Sequence, residues 1–172
     1  MNDIAQLTQF ATRSGVLLDV RPACEADEAM LAEFFDDVSE EDRRFRFLSA
    51  APHISQDQLA ALTHADHVYK ESYLAFDHAT NDLVASGLIA CDEALDTAEV
   101  AVSIRRDYRG KGVGWAMLGM LADEARARGV RRVISIESRE NHAAIDLERE
   151  RGFAAEACDG DPTLVVLSKA FR

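Results

Sequence analysis

One segment constrains this chain more than any other: Arg105-Arg106-Asp107-Tyr108-Arg109-Gly110-Lys111-Gly112-Val113-Gly114-Trp115. It lies between an alternating run, Ala98–Arg105, and a helical pattern that extends from about Gly112 to Arg128. In the run, Val100, Val102 and Ile104 alternate with Ala101 and Ser103, the period of a half-buried strand. Gly129 supplies a C-terminal glycine stop for the helix. A strand, a glycine loop and a helix in this order belong to mixed α/β or α+β domains.

Two familiar phosphate loops fail against this segment. The P-loop needs Gly-Lys followed by Ser or Thr, and no such triplet occurs. The dinucleotide fingerprint needs a third glycine five residues after the first, where this chain has Trp115 or Met117. What remains is R-x-x-G-x-G, formed by Arg109, Gly112 and Gly114. Glycines let the backbone approach a ligand and adopt positive φ. Free N–H groups at the helix start and the helix dipole favour a pyrophosphate, and Arg109 and Lys111 add charge. A plain helix-start turn is the competing explanation.

Composition narrows the class. The chain has 172 residues, 48% of them hydrophobic, with 31 acids against 19 bases for a net charge of −12. That is one domain with a real core, neither a disordered chain nor a disulfide-stapled mini-fold. A pI near 4.8 lacks the basic face that nucleic acid requires. The charge is uneven: residues 1–104 carry −14, residues 105–132 carry +5 and residues 133–172 carry −3. The basic island reads as an anion site or as a solvated helix face, with Arg126 and Arg128 complementing a helix C-terminus.

Cys24, Cys91 and Cys158 are odd in number and widely spaced, which fits a reducing cytoplasm and neither a disulfide framework nor a zinc site. No signal peptide or membrane-spanning run is expected. The five histidines show no metal-ligand spacing, so no metal is expected.

The remaining elements alternate. A leading helix is expected over residues 2–13, within an N-terminal extension of residues 1–15, and the main domain over residues 16–172. Val16–Arg21 reads as a strand and Glu25–Val38 as a helix. Ser39 and Ser55 begin short helices through capping-box patterns. Strands follow at Tyr69–Asp77 and Leu83–Cys91, then, beyond the glycine helix, a strand at Val133–Glu137, a helix at Asn141–Arg151 and a closing strand at Leu164–Leu167. The aromatic cluster Phe34, Phe35, Phe45 and Phe47 reads as core or as one wall of a cleft, and Trp115, Met117, Leu118 and Leu121 as core.

The strand Glu99–Ile104, the Arg109/Gly112/Gly114 loop and the later pattern Asn141-x-x-Ala144-x-x-Leu147-x-x-x-x-Gly152-Phe153 resemble the GNAT superfamily of acyl-CoA-dependent N-acetyltransferases. Arg21-Pro22, Phe34-Phe35, Arg43-x-x-x-Phe47 and the Ser55–Leu62 stretch look like the acetyltransferase domain of bacterial Pat-type protein lysine acetyltransferases. The resemblance implies an α+β fold with a mostly antiparallel sheet, splayed at the cofactor site and flanked by helices. It implies transfer of an acetyl group from acetyl-CoA to a cationic amine, either a protein lysine or a small molecule, in a superfamily where homodimers are common.

By the same resemblance Glu99 is the general base. Val102 and Ile104 offer main-chain contacts to the pantetheine. Arg109, Gly110, Lys111, Gly112, Val113 and Gly114 surround the pyrophosphate, and Asn141, Ala144 and Leu147 complete the cofactor site. Asn141 is equally good as a helix N-cap. The family often has a tyrosine after the motif leucine as proton donor to the leaving thiolate; here that residue is Glu148. An ordinary carboxylate is ionised at neutral pH and donates nothing unless burial raises its pKa. That leaves the general acid unassigned, with Tyr108, Tyr69 and Tyr73 as weak candidates. His64 and His67 fall where the acceptor side often forms. A non-catalytic acyl-CoA sensor is the rival class, and Glu99 argues against it because a sensor needs no base.

Overall fold

The computed structural model describes residues 8–47 and 51–171. Among the described residues eight strands form one sheet: β1 (Thr8–Ala11), β2 (Leu17–Pro22), β3 (Lys70–Asp77), β4 (Leu83–Cys91), β5 (Thr97–Ile104), β6 (Arg132–Ser138), β7 (Ala154–Ala157) and β8 (Leu164–Ala170). The helices are α1 (Glu28–Asp36), α2 (Glu40–Phe47), α3 (Gln56–Thr63), α4 (Val113–Ala127) and α5 (His142–Glu150). The strand order is β1-β2-β3-β4-β5-β6-β8-β7. Every neighbour pair is antiparallel except β5 with β6, joined in parallel through the α4 crossover.

That one parallel pair makes the opening. It holds over three residues only, Thr97 to Arg132, Ala98 to Val133 and Glu99 to Ile134. Beyond Glu99 the strands diverge, while β5 stays paired with β4 out to Ile104 and β6 with β8 out to Ser138. Main-chain groups of β5 that point toward β6 are thereby released from the ladder.

A core lies on each face. On one, Ala98, Val100, Val133 and Leu167 pack under Met117 and Leu121 of α4. On the other, Leu31, Phe34 and Phe35 of α1 and Leu59 and Leu62 of α3 cover Leu74 and Phe76. The alternation read in β5 is therefore real: even positions face α4, and Glu99, Ala101 and Ser103 face the early helices.

Local signals account for most element ends. Ser55 caps α3 in a reciprocal capping box with Gln58, and Ser39 Oγ accepts from the Asp42 N–H at the start of α2. Gly129 takes φ 88° just past α4, as a helix-stopping glycine should.

Two elements differ from expectation. The helix expected over residues 2–13 is not formed at Thr8–Ala11, which is the edge strand β1 paired with β2; residues 2–7 lie outside the described residues. A hairpin turn at 12–16 sets this, with the Thr12 N–H donating to the Val16 carbonyl at 2.8 Å and Gly15 at φ 90°. The stretch set apart as an extension thus contributes to the sheet. The second difference is β7, Ala154–Ala157, where the sequence signals no strand. Its four exposed residues lack β-branched side chains, and pairing with β8 alone holds it extended.

Candidate active site

The divergence of β5 from β6 opens a cavity of about 390 Å³. Glu99, Val102, Ile104, Arg109, Gly110, Gly112, Val113, Gly114, Asn141, Ala144 and Leu147 all line it. Lys111 alone among the expected site residues does not; its Nζ lies 4.7 Å from the Tyr108 ring centroid and its carbonyl accepts from Ser14 Oγ.

The loop end of the cavity is built for an anion. Gly110 and Gly112 adopt φ 74° and 79°, left-handed values that a side chain would strain. Gly112 is the N-cap of α4 and no side chain caps that helix, unlike α3 and α5. The N–H groups of Val113, Gly114 and Trp115 therefore have no intrahelical acceptor and point into the loop. A Cβ on Gly114 would stand 3.0 Å from Ile104 Cδ1 and 3.2 Å from Leu147 Cδ2, so the glycine lets α4 pack closely on β5 and α5, and a larger residue would make those side chains shift. Arg109 reaches the cavity rim while its Nε lies 3.3 Å from Asp42 of α2.

Two arginines missed by sequence reasoning frame this end. Arg13 and Arg151 each place a guanidinium 4.0 Å from the Trp115 ring centroid, and Arg13 also lines the cavity. Burial, reinforced by Arg13, holds the Arg151 pKa below its ordinary value. Trp115 is thus half-buried between cations rather than simply core. The signal was not local, because Arg13 arrives from the β1–β2 hairpin.

The opposite end is the face of α2. Glu99 projects from β5 on that side and is exposed. Arg46, half-buried in the cavity wall, has burial pulling its pKa down while the charges of Glu99 and Glu137 oppose that. Phe45 also lines the cavity, while Phe34, Phe35 and Phe47 are core, with edge-on rings 5.0–5.2 Å apart. Ser103 lies on the wall with its buried Oγ unpartnered among the described residues.

On the α4–α5 side of the divergence four polar side chains converge, Ser135, Glu137, Asn141 and Glu148. Ser135 Oγ donates to Glu137 Oε1 at 2.9 Å, and Asn141 Nδ2 donates to Glu137 Oε2 at 3.2 Å. Asn141 Oδ1 also accepts the Ala144 N–H, so this residue is the N-cap of α5. Glu148 is 5% exposed, and its Oε2 is buried without a partner among the described residues. Burial raises both carboxyl groups above the ordinary range, and at Glu148 burial first and the neighbouring Glu137 charge second bring the group up to about 9.

The three tyrosines lie in different surroundings. Tyr108 lines the cavity, but its hydroxyl donates to Asp77 at 2.5 Å and its pKa is raised by that bond. Tyr73 is buried near Arg128 and pushed up to about 12, and neither it nor Tyr69 lines the cavity. His64 and His67 do not line it either; His67 Nδ1 lies 2.8 Å from Glu71 of β3.

Comparison with known proteins agrees with this geometry. The sequence model of the acetyltransferase (GNAT) family matches residues 28–153. A Pseudomonas aeruginosa acetyltransferase is 30% identical over 151 residues, covering 86% of this chain and 80% of that protein. An L-methionine sulfoximine/L-methionine sulfone acetyltransferase of the same species is 40% identical over 57 residues, 33% of each chain. Among solved structures, the GNAT domain of S. lividans PAT superposes with a TM-score of 0.88 at 25% identity, over 96% of this chain and 97% of that one. A Vibrio cholerae spermidine N-acetyltransferase in complex with CoA and spermine shares the fold, with a TM-score of 0.72 at 17% identity over 89% and 95% of the two chains. The mixed sheet, opened at its one parallel pair beside an uncapped glycine helix, is that of an enzyme: this chain belongs to the GNAT family of acetyltransferases.

Proposed function

We propose that this protein transfers an acetyl group from acetyl-CoA to a primary amine by direct attack, with Glu99 as general base. The observation that carries it is one cavity with opposite chemistry at its ends. Unpaired N–H groups of α4 lie at one end and the Glu99 carboxylate at the other.

The donor substrate fits the residues present. The N–H groups of Val113, Gly114 and Trp115, with Arg109 at the rim, suit a pyrophosphate. The released main-chain groups around Val102 and Ile104 would pair with the pantetheine amides as an added strand. Ala144 and Leu147 supply the apolar wall along that arm. The acetyl carbonyl then lies against β5, where a main-chain N–H stabilises the oxyanion.

The acceptor enters on the α2 side. An alkylammonium has a pKa of ~10.4, so it must lose a proton before its nitrogen attacks the thioester. Glu99 is the carboxylate on that side, and the exposed acids Asp36, Asp37, Glu40 and Glu41 draw a cation toward it. Likeness to the GNAT domain of PAT favours a protein lysine as the amine. A second reading is a small acceptor that also carries a carboxylate. Arg46 favours it, because a desolvated guanidinium beside the base repels a bare cation and matches a zwitterion.

The three unpaired thiols suit a cytoplasmic enzyme. A panel of lysine peptides, polyamines and amino acids, each mixed with acetyl-CoA and followed by thiol release, tests the activity and separates the two acceptors. Release with peptides alone supports the lysine; release with amino acids alone, lost in Arg46→Ala, supports the zwitterion.

A further inference from the structure

We infer that the Glu148 carboxyl group is the proton donor to the departing thiolate, a catalytic role that stands on the acetyl transfer proposed above. Glu148 follows Leu147 on α5 and lines the cavity on the α4–α5 side, whereas Glu99 approaches from the other face of β5. A donor substrate lying along Val102 and Leu147 brings its sulfur to the wall that Glu148 forms.

The polar contacts decide which carboxyl carries the proton. Glu137 receives a donor on each oxygen, from Ser135 Oγ and Asn141 Nδ2, so it is the one suited to negative charge. Glu148 has a buried Oε2 with no partner among the described residues. An ionised carboxylate left bare in this way costs far more than a neutral acid. One proton shared by the pair therefore resides on Glu148, hydrogen-bonded to Glu137.

The other charges around the cavity do not reverse this. Arg46 of α2 acts on Glu137, and the Ser135 hydroxyl pulls Glu148 down by less than burial and the Glu137 charge push it up. The facing wall of α4 presents Trp115 and Leu118, and α5 itself presents Ala144 and Leu147, none of which is charged. Arg13, Asp42 and Arg109 lie at the loop end and rim. The resulting pKa, about 9, lies close to the ~8.5 of an alkyl thiol, a match that favours transfer at neutral pH.

The step balances. The amine nitrogen forms a bond to the acetyl carbon, and the carbonyl pair moves to oxygen. When the carbonyl reforms, the carbon–sulfur bond breaks and its electron pair leaves on sulfur. The Glu148 proton moves to that sulfur, giving the free thiol, while the nitrogen proton leaves through Glu99. Glu148, now ionised beside Glu137, regains a proton from solvent. Overall, an ammonium and a thioester give an amide, a thiol and one proton.

Glu148→Gln tests this, because it keeps the shape and removes the acid. With the best amine of the panel, kcat should fall ~10²-fold while the acetyl-CoA Kd stays within about twofold. The wild-type kcat should decline above about pH 9, and that limb should vanish in the variant. An infrared carbonyl band of a protonated carboxyl should be present in the wild type at neutral pH and absent from Glu148→Gln. Glu148→Tyr should recover part of the loss, since a phenol also donates. A Glu148→Gln enzyme with kcat within about threefold of wild type, or one that keeps the alkaline limb, overturns the assignment alone. A wild type that releases no thiol with any amine overturns the acetyl-transfer reading and the assignment with it.

Discussion

Asp27 and Glu148 are buried alike, 6% and 5% exposed, yet they stand at opposite ends of the carboxyl range. Asp27 receives both terminal nitrogens of Arg21, at 2.7 and 2.8 Å, and the Cys24 N–H at 2.8 Å. Those partners hold its pKa near 2, against a burial that pushes the other way. At Glu148 burial is the chief cause of the rise, the Glu137 charge adds to it, and the group reaches about 9 with one oxygen bare among the described residues. Burial pushes both acids up; at Asp27 the hydrogen-bond partners outweigh it, and at Glu148 the Glu137 charge adds to it. The first group ties the turn at residues 25–27 to the end of β2; the second lines the cavity with no compensating cation among the described residues. A perturbed acid facing a cleft is where function is expected, and a paired one is structural.

The largest expected effect tests whether the cavity behind Glu148 holds the donor at all. Gly112→Glu places a side chain at φ 79° and a negative charge among the free N–H groups. Calorimetry should show no acetyl-CoA binding, with a melting temperature that confirms the variant is folded. Next comes Glu99→Gln, which should lower kcat by ~10²–10⁴-fold with little change in acetyl-CoA affinity. Equal turnover would move the base elsewhere.

The buried acids should then separate under mutation. Asp27→Asn should destabilise the fold by ~2–4 kcal/mol in urea, because it leaves the half-buried Arg21 without its anion, while kcat stays within about twofold. Glu148→Gln should do the reverse, losing turnover and not stability. A variant pair that lost activity together would remove the distinction.

The smallest effect is the pH dependence, and its sign differs at the two sites. Asp27 is depressed from 3.8 to about 2, so its stabilisation is present above 3.8 and fades as pH falls toward 2. Glu148 is raised from 4.5 to about 9, so its contribution is full below 4.5 and is lost as pH rises toward 9. Urea midpoints should show Asp27→Asn converging on wild type in acid. Those of Glu148→Gln should gain on wild type across the neutral and alkaline range.

Much of the donor side was legible in the chain because its signals are local. Alternation marks β5, Gly112 and Gly114 mark the loop, and Asn141 sits three residues before the N–H it caps. The acid pair was not legible, since Glu137 and Glu148 meet only when α5 folds back on β6. Nor were Arg13 and Arg46, which reach the cavity from the β1–β2 hairpin and from α2. The basic island also changes meaning once it is folded. Arg105 pairs with Asp107, Arg109 with Asp42, Arg131 with Asp96 and Arg132 with Glu156. Arg128 ties α4 to Glu71 and to the carbonyls of His67 and Val68. Most of that charge is answered within the protein, and the anion site proposed above is chiefly backbone.

The most direct measurement is thiol release from acetyl-CoA by the wild-type protein, with and without each amine of the panel. The account predicts release that depends on a primary amine, with the acetyl group recovered on that amine, and none from Gly112→Glu. Acetyl-CoA that binds tightly but yields no amine-dependent thiol with any acceptor would contradict it.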